Sequence, residues 1–333
     1  MNKKIRERWR EAIDRNRKSG GYLLKKVIGK KTYELVRAVL LFGLCFLILQ
    51  PLLNKISLSF MMERDLYDPT IIVVPRNFTL SNYKLVNELI SFWKSLGNSI
   101  GLSAISSIIQ VAFCTMVGYG FARFKFPLKN LWFACVLLVI IVPPQTIMSS
   151  LYLNFRFFDI FGIFKLMTGG TINLQNSVLP YILLCMTCMG LKSGLYIFLI
   201  RQYFRGIPKE LEEAAYVDGC GNFSTFIKIM LPDATPILTS CFLFAFVWQW
   251  TDSFYSRMFV GNLALLSNRL TSITSLLSDY LVSINGTGSR PSIAYGQMMI
   301  STGMIMAIIP LLLIYIVAQK GFVESLSQTG LKM

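Results

Sequence analysis

The chain has 333 residues, 54% of them hydrophobic and 15% charged, with a mean hydropathy of +0.55 and a formal net charge of +16. A soluble domain carries about 25% charged residues. Here the apolar residues gather in runs of about 20, long enough for a bilayer core of roughly 30 Å, which excludes a large soluble core and indicates an integral membrane protein. The absence of histidine removes imidazole acid–base catalysis and imidazole metal ligation.

The pattern predicts an all-α membrane protein with six transmembrane helices. A basic arm, residues 1–34, comes first. Its stretch from Lys3 to Lys31 reads as an amphipathic surface helix or a solvated tail, and no short apolar run with a small-residue cleavage site marks a signal peptide. The first span is expected at residues 35–53, inside a first helical segment of 35–60, and an extracytoplasmic segment follows at 61–95. A transmembrane core over 96–318 then holds spans at 96–121, 131–153, 178–200, 235–250 and 293–317, with a tail at 319–333. Pro143-Pro144 interrupts the third span, as a hinge or a simple bend. Span two is rich in small residues, among them Gly97, Gly101, Ser106, Ser107 and Gly118; these suit close helix packing or the lining of a polar pathway.

Six of the seven cysteines, Cys45, Cys114, Cys135, Cys185, Cys188 and Cys241, fall in apolar runs, and only Cys220 does not. An odd number so placed argues against a disulfide framework, and Cys185-x-x-Cys188 reads as buried small hydrophobes. With the N-terminus inside, roughly twice as many Lys and Arg lie on the inner side as outside. Both termini are therefore expected in the cytosol of a bacterial cell membrane. The net charge becomes a topology signal facing anionic lipid, not a nucleic-acid surface.

The loop at 201–233 carries the most information. Pro208 suits a first helical position, and Glu210, Glu212 and Glu213 favour a helix N-terminus. Leu211, Ala214 and Ala215 form a small apolar face, and Gly219 is placed for a left-handed cap. After the Cys220-Gly221 turn, Asn222 is expected to cap a second helix. That helix would show Phe223, Phe226, Ile227 and Met230 on one face and end at Pro232.

Glu213-Ala214-Ala215, Gly219 and Ile229-x-Leu231-Pro232 resemble the EAA motif of the membrane subunits of binding-protein-dependent ABC importers. Arg201-Gln202-x-Phe204, Ile207-Pro208 and Asp218-Gly219 look like the carbohydrate-uptake branch. Thr79-Leu80-Ser81-Asn82-Tyr83, Asn98-Ser99 and Tyr119-Gly120-Phe121-Ala122-Arg123 look like its maltose-type second permease. The resemblance covers roughly residues 70–333 and implies the type I ABC importer transmembrane fold. It also implies that Leu211, Ala214 and Ala215 pack on an ATPase subunit. Glu213 would pair with a basic group there, and Asp218-Gly219 would make the turn. The partners implied are a second permease subunit in a heterodimer, an ATPase dimer that binds the ATP, and an extracytoplasmic solute-binding protein that delivers a sugar or oligosaccharide. The chain itself shows no G-x-x-x-x-G-K-[ST] and is expected to hold no cofactor and to catalyse nothing.

Three residues are candidates for the pathway. Lys192 is the ionisable group inside a predicted span and is a functional candidate by default; it also reads as a cation that snorkels or bonds backbone at a local helix break. Trp248 and Gln249 end span five, where a ring and an amide suit a sugar, although Trp at a span end also serves as an interface anchor. Segments 61–95 and 252–292 suit receptor docking. The alternative to an importer permease is an ion-coupled secondary transporter, but no predicted span holds the Asp, Glu or His such coupling commonly uses. A membrane enzyme lacks any nucleophile–base pair. No motif marks the solute: a maltodextrin, a plant-polysaccharide fragment and glycerol phosphate all stay open.

Overall fold

The computed structural model describes Lys18 and residues 22–330 except Ile72 and Phe161. Residues 1–17 and 19–21 of the predicted basic arm and 331–333 of the tail lie outside them. Among the described residues every regular element is helical, with two isolated backbone bridges, Met61 to Phe78 and Phe158 to Ile172.

Helix α1 (Tyr22–Phe60) is longer than the predicted first span at both ends, because the basic residues before it favour helix and no breaker separates them from the apolar run. None of the residues in its apolar window is buried within the chain. A short 3-10 turn (Glu63–Tyr67) and α2 (Ser81–Leu89) lead to α3 (Phe92–Arg123). The Asp65 carboxylate accepts from the Asn77 backbone N–H at 2.7 Å and its amide at 2.6 Å, and these bonds hold that carboxyl below its ordinary range.

The predicted third span is broken. Helix α4 (Lys129–Ile141) stops before Pro143-Pro144, and the chain turns by 99° through a 3-10 turn (Pro144–Ile147) into α5 (Met148–Arg156). Paired prolines explain the break: a residue before proline is pushed out of the helical region, and proline donates no N–H. After α6 (Ile163–Thr168), the predicted fourth span is also broken, between α7 (Leu179–Met186) and α8 (Ser193–Gly206). Cys188 and Lys192 take left-handed backbone angles there, with φ of 56° and 60°. The freed backbone is caught from α3: the Gln110 amide donates to the Leu191 carbonyl and to the Ser193 hydroxyl, both at 2.7 Å. Gly190 leaves room for that amide, since a Cβ there would sit 3.1 Å from Gln110 Nε2.

The loop after α8 contains α9 (Glu210–Val217), α10 (Asn222–Thr225), a π-helical turn (Phe226–Met230) and α11 (Leu231–Asp233). A 75° bend separates it from α12 (Thr235–Thr251). Helices α13 (Phe254–Val260), α14 (Leu266–Thr271) and α15 (Ile273–Asn285) precede the long α16 (Ile293–Gly330), which contains Pro310. By length and composition three helical stretches can each cross a membrane, Ile28–Phe60, Phe92–Arg123 and Ile293–Gln319, and up to five spans result if each bent pair is one.

The apolar interior gathers in three clusters. One joins α3, α8 and α12 around Tyr196, Ile200, Phe204 and Met230. Another joins α2, α15 and α16 around Val86, Ile90, Leu277 and Met298. The third gathers Phe155, Tyr181, Tyr255 and Phe259. Close approach of α3 to α8 depends on Gly118, whose Cβ would fall 2.8 Å from the Ile200 side chain. There the small residues of α3 serve packing.

Candidate coupling and pathway sites

Helix α9 starts at Glu210, with Pro208 two residues outside it, and carries three carboxylates in its first turns, where the helix dipole favours them. It ends at Gly219, whose φ of 82° is the left-handed value a cap needs. The Gly219 N–H donates to the Tyr216 carbonyl at 3.1 Å and the Cys220 N–H to the Ala215 carbonyl at 2.9 Å.

The helix presents two faces. Leu211, Glu213, Ala214, Val217 and Asp218 are exposed, as is Gly219; Val217 is 87% accessible. Glu212 and Ala215 turn inward, and Ala215 is only 3% accessible. The structure thus divides the predicted apolar face: Leu211 and Ala214 remain on the surface while Ala215 packs within the chain. The second helix is divided as well. Gly221, not Asn222, precedes its first turn. The wide π turn rotates Phe226 and Met230 into the core and leaves Phe223 (70% accessible) and Ile227 on the surface.

Sequence reasoning missed the residue that fixes this loop. The buried Glu212 carboxylate accepts a hydrogen bond from Tyr119 Oη at 3.0 Å and lies 3.3 Å from Arg123 Nε, with both charged side chains nearly excluded from solvent. Arg123 also donates through Nη2 to the Ile207 carbonyl at 2.8 Å. The Tyr119 ring meets Phe204 edge-on at 5.2 Å and Phe226 at 4.7 Å. One cluster therefore ties the end of α3 to α8, α9 and the π turn. The available signal was helical spacing: Glu212 stands three residues before Ala215, on the same face.

At the α7–α8 break, Lys192 Nζ lies 4.9 Å from the centroid of the Trp248 ring, within reach of a cation–π attraction. Two of the three candidate pathway residues are thereby brought together on exposed surface. Gln249 is buried, and its Nε2 finds no hydrogen-bond acceptor among the described residues. Asp252, which follows, is fully engaged: its carboxylate caps α13 through the N–H groups of Phe254 (3.1 Å), Tyr255 (3.2 Å) and Ser256 (2.9 Å), and accepts from Tyr181 Oη at 2.8 Å. A cavity of about 530 Å³ opens beside Lys192, walled by Pro143, Pro144, Gln145 and Tyr255. A second, of about 620 Å³, is walled by Tyr152, Gln175, Ser253, Phe254 and Arg257. A third, of about 400 Å³ between Ile108, Met116, Phe226 and Phe242, is mainly apolar, with Thr115 and Thr239 its polar lining.

Broken apolar helices around cavities of mixed lining, with an exposed loop pinned against them, fit a membrane-embedded transport subunit. The model of the family described as "binding-protein-dependent transport system inner membrane component" matches residues 114–321, and the chain belongs to this family. It is similar to the arabinooligosaccharides transport system permease protein AraQ of Halalkalibacterium halodurans, 27% identical over 91% of this chain and 99% of that one. It is also similar to the trehalose transport system permease protein SugB of Mycobacterium tuberculosis, 28% identical over 91% and 98%. A crystal structure of a bacterial ABC transporter involved in import of the acidic polysaccharide alginate superimposes with a TM-score of 0.67 at 20% identity, over 87% of this chain and 96% of that one. That likeness shows the type I importer permease fold. The chain is thus a permease subunit of an ATP-driven importer and not an enzyme.

Proposed function

We propose that this chain forms one half of the pathway by which a bacterium imports a sugar or oligosaccharide across its cell membrane. The charge distribution supports six spans with both termini in the cytosol, the broken α7–α8 segment serving as the sixth beside three long helices and two bent pairs. A second permease completes the pathway, an extracytoplasmic solute-binding protein delivers the solute, and an ATPase dimer binds the ATP. The observation that carries the reading is the exposed face of α9: Leu211, Glu213, Ala214 and Asp218 stand on a rigidly anchored helix, and Glu213 has no ion-pair partner among the described residues. This face docks on the ATPase, and Lys192, Trp248 and Gln249 belong to the solute pathway.

Purifying the chain from its host in mild detergent is expected to bring with it a second permease and an ATPase. A chain that purifies alone and moves solute without ATP would be an ion-coupled carrier instead. Glu213→Lys is expected to leave insertion and assembly intact while uptake falls and ATP hydrolysis continues. Normal uptake by that variant at normal expression would remove Glu213 from the contact.

A further inference from the structure

We infer that the solute passing this chain is anionic, a saccharide bearing carboxylate or phosphate groups that meets Arg257 and then Lys192. The inference rests on the saccharide reading above and adds the charge of the substrate to it.

The first two cavities, both of mixed polar and apolar lining, flank the start of α13, and each has the size of a small-molecule site. Each combines one cation with an aromatic ring and an amide: Arg257 with Tyr152 and Gln175, Lys192 with Tyr255 and Gln145. Among the described residues, neither is walled by an Asp or Glu. Asp252, the carboxylate between them, has its oxygens taken by three backbone N–H groups and Tyr181, so it neither neutralises the cations nor accepts from a hydroxyl. Arg257 bonds to the Thr271 hydroxyl through Nη2, which leaves most of its five donors for another ligand. Among the described residues, Lys192 has only the Trp248 ring against its ammonium.

Both cations are exposed in this chain, and neither has a carboxylate partner among the described residues. A neutral sugar leaves them without a counter-ion. A carboxylate or phosphate supplies one, through short charge-assisted hydrogen bonds. In the proposed orientation Arg257 stands on the outer side and Lys192 deeper, so an anion can pass from one to the other.

The test uses the whole assembly purified from the host and placed in proteoliposomes with its solute-binding protein and ATP. Three probes are offered together: a partial digest of a neutral polysaccharide, a partial digest of a uronate-containing polysaccharide, and glucose 6-phosphate. Accumulated species are identified by mass spectrometry. Acidic species are expected to accumulate in preference to neutral ones, with uronates or the sugar phosphate revealing which anionic group is carried. Lys192→Gln and Arg257→Gln are each expected to cut that accumulation about tenfold or more, the worth of one charge-assisted bond, while Lys192→Arg retains most of it. Co-purification of the ATPase verifies that each variant assembles. Accumulation of neutral oligosaccharides, untouched by either variant, would overturn the inference and leave the saccharide reading standing. Acidic uptake indifferent to both variants would remove these two residues from it. Import of a non-saccharide would overturn the saccharide reading itself.

Discussion

Glu212→Ala is expected to abolish uptake by the assembled transporter while the protein still inserts in the membrane. The carboxylate it removes is the counter-ion of Arg123, 3.3 Å away, and the acceptor of the Tyr119 hydroxyl, and all three groups are enclosed where α3, α8 and α9 meet. Removing one partner of a buried pair leaves the other charge desolvated and unpaired, at a cost of about 3–5 kcal/mol. That corresponds to a shift of about 100-fold or more toward the undocked loop. On the proposed coupling role, a loop that floats on its tether does not transmit ATPase closure to α3 and α8. Hydrogen exchange over 210–233 is expected to accelerate in Glu212→Ala and uptake to fall, with ATP hydrolysis no longer matched to transport. Tyr119→Phe keeps the pair and loses one bond to a charged group, so it costs less, about 1.5–3 kcal/mol. The double variant Arg123→Met with Glu212→Leu replaces the pair by apolar groups of similar volume and is expected to restore slow exchange, because such exchanges are often neutral. Exchange and uptake at wild-type levels in Glu212→Ala would mean that aromatic packing alone holds the loop.

The contrast between Glu212 and Glu213 shows which parts of the site were legible. Gly219 carries its own explanation, because a helix that ends in a left-handed residue calls for glycine at that point. The exposed residues from Leu211 to Asp218 follow from one helix and one motif. Glu212 does not, because its partners Tyr119 and Arg123 lie about 90 residues earlier in the chain, and only the fold brings them within bonding distance. The spans behave in the same way. Apolar run length located the segments around α1, α3 and α16, and Pro143-Pro144 announced an interruption, though not a turn of 99°. The break before Lys192 contains Gly190 but no proline, and a local helix break is one of the two readings of Lys192 from the sequence. The break exists because Gln110 on another helix satisfies the Leu191 carbonyl and the Ser193 hydroxyl, a tertiary bond that overrides an apolar pattern. Lys192 consequently stands at a helix end against Trp248 and not in the middle of a continuous span.

Gly194→Val is expected to lower the thermal stability of the detergent-solubilised assembly and to weaken uptake. A Cβ on Gly194, two residues from Lys192, would meet the Val136 carbonyl oxygen at 2.8 Å and the Ile140 side chain at 2.9 Å. The first of these is backbone and cannot swing aside, so α8 must part from α4. Arg201, two turns further on, stacks its guanidinium 3.8 Å from the Phe133 ring across the same seam, and that contact would loosen with it. Overpacking of this kind costs about 1–3 kcal/mol. The seam also sets the wall of the Lys192 cavity, since Val139, Pro143 and Pro144 follow from α4 while Lys192 and Leu195 flank Gly194. Uptake should therefore suffer more than the loss of folded protein accounts for. Gly101→Ala is the matched control: its Cβ meets nothing within 4 Å, and a helical glycine replaced by alanine gains about 0.5–1 kcal/mol. Opposite shifts in melting temperature for the two variants are the expected result. A Gly194→Val assembly that melts and transports like wild type would show that α4 slides freely along α8, and the cavity beside Lys192 would then be a variable space and not a built one.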